Sequence, residues 1–422
     1  MKHRFLPVAL TLTAFCAFTF SCASPQKTSG TVSAQKTSGT AAPKQTTAPV
    51  RGESDFSFRI WKEVDKRTEG AYILSPLSLR LMLGMVLDGA RGETADEIAA
   101  ALGFAVRHDE AVPAMDAWAR RTLHQLPALD KQTRLTMGDA LFVNQRYPLL
   151  ETYRRHVGTI YDATVENRDF SRTKETLSAI NGWCNRQTNG LIPKVLDTLY
   201  PDMMAVVMNA VYFKGVWTDP FRKELTKEET FTRENGTRTQ LPMMKTQKSF
   251  AYAENEQLQA VRLPYGNESF AMTVLLPKAG HTVAEVLESL DEQQWNSLKD
   301  AMRYEEVSLS LPKFESKFHI ELNDCLRVMG MEKAFTGSAD FGKMSSSGAC
   351  ISTILQDALI KVDEEGTEAA AVTTGLMKAT AFMPRTPIPF HADHPFLYLI
   401  SANGEDTLLF AGKFDGSASS EK

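Results

Sequence analysis

One stretch near the C-terminal end, residues 361–384 (KVDEEGTEAAAVTTGLMKATAFMP), constrains the fold more than any other. It leaves a charged strand end, meets Gly366, and then runs through small residues with no proline until Pro384. Surface connections are normally short and punctuated by Gly, Pro, Asn and Asp. This one is long, rich in Ala and Thr and nearly free of breakers, so it can form a strand of about 14 residues, roughly 48 Å at about 3.4 Å per residue. Split by strand parity, Thr367, Ala369, Ala371, Thr373, Gly375, Met377 and Ala379 share one side and are all small or apolar. Glu368, Ala370, Val372, Thr374, Leu376, Lys378 and Thr380 share the other and hold both charges. The pattern predicts a latent strand with one buried face and one left out. Small residues on the buried side suit insertion between two existing strands, where no large cavity waits. A plain flexible loop is the competing reading of composition alone.

The chain of 422 residues is 43% apolar and 23% charged, enough for a sizeable core. Its formal charge of −4 offers no electrostatic reason to expect nucleic acid as a partner. Lys2, His3 and Arg4 precede an apolar run over 5–20 that is short for a membrane span, so residues 1–21 read as a signal peptide and the chain as exported. Ser21-Cys22 resembles a bacterial lipoprotein site with Cys22 as the lipidated residue. Thr19 and Phe20 depart from that pattern, and Ser21-Cys22-Ala23 also suits an ordinary signal peptidase. Residues 22–50 carry QKTSGT twice, at 26–31 and 35–40, in a Ser/Thr/Gly/Pro-rich context that cannot bury apolar surface. A tether favours an anchor: a cell-surface or outer-membrane lipoprotein is expected, with a secreted or periplasmic form as the alternative. Cys184, Cys325 and Cys350 lack metal-like spacing and read as free thiols, with one disulfide plus a leftover thiol as the other option.

From residue 51 onward the composition is globular, which predicts one large domain over 51–422. Helical patterns cover 56–64, the apolar run 79–87 after Ser75-Pro76, a segment opened by Thr94 and Glu97 as a capping box, and 171–189 with Ser171 as its cap. Strand patterns follow at 205–213, 260–263, 270–276 and 307–312, with shorter helices at 282–290 and 320–329. A hairpin over 396–402 and 407–414 turns at Asn403-Gly404. Helices concentrated early and strands late indicate an α+β protein. No metalloprotease helix, nucleophile elbow, P-loop or dinucleotide fingerprint occurs, so no catalytic residue is nominated. Ser171 and Lys174 have the Ser-x-x-Lys spacing of penicillin-binding enzymes but lack its companion motifs. His391 and His394 lack a third metal ligand. No cofactor or metal is expected.

KVDEEGTEAAAVTT resembles the hinge of inhibitory serpins, and further matches run from about 56 to 414 in that family's order. They include ILSPLSLRLMLGMVLDGARGETADEI, INGWCNRQTNGLI, MNAVYFKGVWTDPF, LPKFESKF, VMGMEKAF, HADHPFLYLI and TLLFAGK. The resemblance implies a large central, mainly antiparallel sheet, two smaller sheets, about eight to nine helices, and an exposed reactive-centre loop at about 364–387. It implies a hinge of Glu364, Glu365, Gly366, Thr367, Glu368, Ala369, Ala370, Ala371 and Val372. The polar cluster that gates the sheet is matched by Ser75, Ser78 and Asn209, with Trp217 at the loop's point of insertion. Ala71 and Gln356 depart from the family, which commonly has asparagine and histidine there. Gln356 can still both donate and accept within the cluster.

Such a protein is no enzyme but an irreversible suicide substrate of serine endopeptidases, with papain-like cysteine proteases as a further target class. The protease cuts the loop, is held as an acyl-enzyme, and is distorted when the loop enters the sheet as a strand. Family spacing puts the reactive bond between Thr380 and Ala381, which suits elastase- or subtilisin-like pockets. Lys378 with Ala379 is the trypsin-like alternative. A monomer is expected, touching a membrane only through an N-terminal lipid. A non-inhibitory serpin serving as a binding or chaperone module, and more remotely a cell-surface hydrolase, are the rival classes.

Overall fold

Helix α1 (Glu53–Asp65) and strand β1 (Tyr72–Leu74) lead into α2 (Pro76–Gly89), every residue of which is buried. Its apolar character continues around the whole helix, as expected for a helix packed on all sides. Ser75 caps it, accepting from the Ser78 backbone N–H, and Pro76 occupies the first turn, where no donor is missed. The computed structural model describes residues 53–367, 386–402 and 408–417. The expected signal peptide, tether and Cys22 lie outside those residues, as do Glu368, Ala369, Ala370, Ala371, Val372, Lys378, Ala379, Thr380, Ala381 and the Asn403-Gly404 turn. No helix among the described residues is long and apolar enough to cross a membrane.

The chain continues through α3 (Gly92–Ala101), α4 (His108–Leu129), β2 (Arg134–Asn144), α5 (Glu151–Ile160), β3 (Thr164–Arg168), α6 (Thr173–Gln187) and β4 (Ala205–Val216). Then follow β5 (Lys227–Thr232), β6 (Arg238–Glu254), β7 (Leu258–Tyr265), β8 (Phe270–Pro277), α7 (Val283–Ser289), α8 (Glu292–Ala301), β9 (Arg303–Pro312), β10 (Phe314–Glu321) and α9 (Asn323–Val328). The last elements are β11 (Thr353–Val362), β12 (Gly366–Thr367), β13 (Ile388–His391), β14 (Phe396–Ala402) and β15 (Leu408–Phe414).

The α+β class and the helix number agree with expectation. One sheet runs β1-β15-β14-β8-β7-β6-β9-β13 with β5 beside β6, so the strands expected as two smaller sheets form one continuous hydrogen-bonded path. The other runs β10-β11-β12-β4-β2-β3, and below β12 its strands β11 and β4 pair directly. That sheet is mixed: β11 and β4 are parallel, as are β2 and β3, while β10–β11 and β2–β4 are antiparallel.

Alternate residues of β4 enter different cores. Val207, Val211 and Phe213 join the main core with α2, whereas Val206, Met208, Ala210 and Tyr212 join a second cluster. This second cluster includes Ile180, Trp183 and Cys184 of α6 and Leu355 and Leu359 of β11. The six-stranded sheet is therefore covered on both faces where α6 crosses it.

Some local expectations need correction. Helix α3 starts at Gly92 with Arg91 at its cap, so Thr94 is inside it; Thr94 Oγ1 accepts from Asp340 N, and Glu97 accepts from Glu332 and Lys333 N. Ser171 does not cap α6, which begins at Thr173; its hydroxyl donates to Asp169 Oδ1 at 2.6 Å. Residues 320–321 belong to β10, and the helix expected from 320 begins at Asn323. The capping box at Thr282 and Glu285 is present. Cys184, Cys325 and Cys350 are unpaired thiols, and burial pushes the Cys325 thiol up to about 11.

Candidate functional site

Strand β4 lies along a seam with β11, and polar groups gather at two points on it. The first is closed over by buried side chains. Asn209 of β4 and Gln356 of β11 are cross-strand partners, and Gln356 Nε2 donates to Asn209 Oδ1 at 2.8 Å. Gln356 also accepts from Ser75 N at 2.9 Å and donates to Ser75 O at 3.0 Å. Both ends of this amide are therefore satisfied at the position where the family commonly has histidine. Asn209 Nδ2 reaches Ser78 Oγ and Asp139 Oδ1, the latter at 2.7 Å, and Ser75 Oγ donates to Leu409 O at 2.6 Å. One buried network thus ties α2, β2, β4, β11 and β15.

Ser75, Ser78, Asn209 and Gln356 come together as nominated from the sequence. Trp217 does not join them; it stands at the other end of β4. Ala71 is also outside the network, its N–H facing Ser417 Oγ at 3.3 Å. Asp139 is the member that sequence reasoning missed. It is only 5% exposed, and burial pushes its carboxyl up to about 7 although Asn209 donates to it.

At the second point the chain leaving β11 turns back on itself. Asp363 Oδ1 accepts from Glu365 N at 2.9 Å, and Asp363 N donates to Gly366 O at 2.8 Å. Gly366 and Thr367 then pair antiparallel with Val216 and Gly215, while Thr367 also faces Val362. Strand β12 thereby separates the top of β11 from the top of β4. Gly366 has φ +148°, and a Cβ there would lie 2.1 Å from Gly215 O, so only glycine fits this approach. Thr367 is fully buried, its hydroxyl 2.8 Å from Tyr265 Oη. Trp217 stacks on Tyr265 with ring centroids 4.3 Å apart, and its Nε1 donates to Asp363 O at 2.9 Å.

Glu364 is held from several sides. Its carboxylate takes Lys313 Nζ at 2.7 Å and the Thr226 hydroxyl at 2.8 Å, while its carbonyl accepts from Phe221 N. Burial acts to raise its carboxyl, but those donors outweigh it and leave the group below its ordinary range. Lys223 pairs with Glu365 at 2.5 Å. Of the expected exposed loop, residues 364–367 are therefore anchored in structure. Lys313 and Phe221 lie within matched motifs that say nothing of the hinge, and Thr226 and Tyr265 carried no sequence signal, because each reaches the hinge only through the fold.

Elsewhere, His394 is engaged by Asp393 and by Pro277 O, both at 2.9 Å, and makes no metal pair with His391. The residues that do gather like ligands are Asp88, Asp116 and His156.

The sheet thus pairs two parallel strands directly below and admits two residues of the following segment above. The family model described as serpin (serine protease inhibitor) matches residues 51–415. Serpin B4 of Homo sapiens is 33% identical over 379 residues, covering 85% of this chain and 97% of that protein. A serpin-like protein of Thermococcus kodakarensis is 34% identical over 369 residues, covering 86% and 84%. The native-state structure of the thermophilic serpin tengpin superposes with a TM-score of 0.79 at 27% identity, covering 90% of this chain and 96% of that one. This chain belongs to the serpin family.

Proposed function

We propose that this chain is an inhibitory serpin that traps serine endopeptidases, and secondarily papain-like cysteine proteases, by loop cleavage and insertion. The observation that carries the reading is the pairing of Gly366 and Thr367 between β11 and β4 at the head of a seam that is otherwise closed. An entering strand replaces one parallel pairing with two antiparallel ones, which are slightly more stable per residue. Carried on in the same register, Glu368 falls between Lys214 and Lys361, an opposite-charge arrangement on neighbouring strands. Ala369 falls between Phe213 and Ile360, and Ala371 between Val211 and Ala358, where small side chains are needed. Thr373 falls between Asn209 and Gln356, so its hydroxyl arrives where their mutual hydrogen bond must break.

Met377 reaches the level of Ala205, the first residue of β4, and Thr380 lies beyond it. Cleavage between Thr380 and Ala381 lets the whole seam fill before the acyl bond is reached; cleavage at Lys378–Ala379 leaves less slack. The trapped protease has its triad and oxyanion hole distorted, so water no longer completes the cycle. Export with lipidation of Cys22 completes the proposal, supported by the basic and apolar leader and the repeat-bearing tether.

Incubation with elastase, subtilisin and trypsin tests the mechanism. An SDS-stable complex and a cleaved form that melts far higher are expected; a binding module gives neither, and a hydrolase turns substrate over. Mass spectrometry of the released C-terminal peptide identifies the cut bond. Metabolic labelling with a fatty acid, lost in Cys22→Ala, tests the anchor.

A further inference from the structure

Helices α2, α4 and α5, which pack against one another, converge on one small acidic site. Asp88 belongs to the last turn of α2, Asp116 to α4 and His156 to α5. His156 Nε2 lies 3.2 Å from Asp88 Oδ2 and 3.0 Å from Asp116 Oδ2, and the three ligand-type atoms all fall within 4.8 Å of one another. The Asp88 side chain is 98% buried, as its 2% exposure shows, and neither of its oxygens has a well-aligned hydrogen-bond donor, its polar neighbours being the His156 imidazole and the Asp116 carboxyl. A buried carboxylate without donors is costly, and a second carboxylate beside it adds repulsion. His156 is partly exposed, leaving one side of the group open to solvent.

We propose that Asp88, Asp116 and His156 bind a divalent transition-metal ion of the zinc type, fastening α2, α4 and α5 together. The spacing suits it: metal–ligand bonds of about 2.0–2.1 Å in a tetrahedron put neighbouring ligand atoms about 3.3 Å apart. The 3.0 and 3.2 Å separations need only a few tenths of an ångström of adjustment, and the two carboxylate oxygens lie within 4.8 Å of each other. One imidazole and two carboxylates favour zinc, cobalt or manganese over calcium, which takes six to eight oxygens, and water fills the remaining position. The ion supplies the partner that the Asp88 oxygens lack. Tyr161 Oη donates to Asp116 Oδ1 at 3.0 Å and so orients one ligand from the second layer. The site differs from the hinge and the buried polar network, and it stands whether or not a protease is trapped.

The test uses the full chain, stripped with a chelator and titrated with Zn²⁺ by calorimetry. One ion per chain is expected, together with a raised apparent melting temperature. His156→Ala changes a partly exposed residue and should still fold, which circular dichroism verifies. It should weaken binding by about a hundredfold or more, since loss of an outer-layer partner alone commonly costs ten- to a hundredfold. Asp116→Asn carries the same expectation. Co²⁺ should give the intense visible bands of a tetrahedral nitrogen–oxygen site. Unchanged affinity in His156→Ala, substoichiometric binding, or sulfur-to-cobalt charge transfer pointing to the cysteines would each overturn the proposal.

Discussion

The two polar stations along β4 do opposite things with the same seam. Around Asn209 the groups are mainly neutral amides and hydroxyls, fully buried and mutually satisfied, and they bind β4 directly to β11. Around Trp217 the strands are already held apart by β12, through the charged Glu364–Lys313 pair and a turn stapled by Asp363. A buried network loses more when one member is removed than when it is cut as a whole, because orphaned donors and acceptors remain. The lower station is therefore a lock. The upper one is a wedge set in place.

Thr367→Arg should show the largest effect. A guanidinium cannot occupy the buried site beside Tyr265, so the wedge leaves the sheet. Protease should still cut the loop while the SDS-stable complex disappears; persistence of that complex on gels would break the comparison at its upper end. Ala369→Pro should behave alike.

Next comes Asn209→Ala, which takes a partner from one of the two Gln356 Nε2 hydrogens, from Ser78 Oγ and from the Asp139 carboxyl. At about 1–3 kcal/mol for each stranded buried group, a loss of about 3 kcal/mol or more is expected, read as an earlier thermal transition of the native form.

Asp139 gives the lock a pH dependence. Its carboxyl is raised from an ordinary 3.8 to about 7, so between those values the fold holds a proton that the unfolded chain releases. That stabilisation is fully present below about 4 and is lost as pH rises through about 7. About three units at about 1.4 kcal/mol each set a ceiling of about 4 kcal/mol. His319, raised by its hydrogen bond to Asp357, acts in the same direction. The diagnostic quantity is therefore the difference between melts of the native chain and Asp139→Asn at pH 5 and pH 8; the variant should lose part of the slope, the remainder belonging to other buried carboxyls such as Asp88, which burial raises to about 8.

The smallest effect belongs to Thr373→Val. Inserted in the register of β12, it presents a methyl group to Asn209 and Gln356. Only the cleaved form should be less stable, by about 1–2 kcal/mol in denaturant unfolding.

The hinge was legible because it depends on local pattern: Gly366 where no Cβ fits, and small residues at alternate positions after it. Buried α2 could be read from its continuous apolar run and the Ser75-Pro76 start. Helix α4 could not, because Pro113 and Pro127 punctuate it like loop residues although both sit inside the helix. Asp139 is an ordinary charged residue in its own strand and Lys313 one in the link between β9 and β10; only the pairing of β2 with β4 and the position of β10 beside β11 bring them to the site. One face of the six-stranded sheet is covered by α6 because Ile180, Trp183 and Cys184 share a stripe that only the sheet can receive.

The two residues of β12 carry a kinetic consequence. Starting a strand between two others requires separating them and bringing a free chain end to the gap, and both costs come before any ladder bond forms. In this chain the gap is already parted at Val216 and the first pairs are made. Under the proposed mechanism, insertion after cleavage would be propagation from an existing nucleus, one residue at a time, and its race against hydrolysis of the acyl bond would begin past the slowest step.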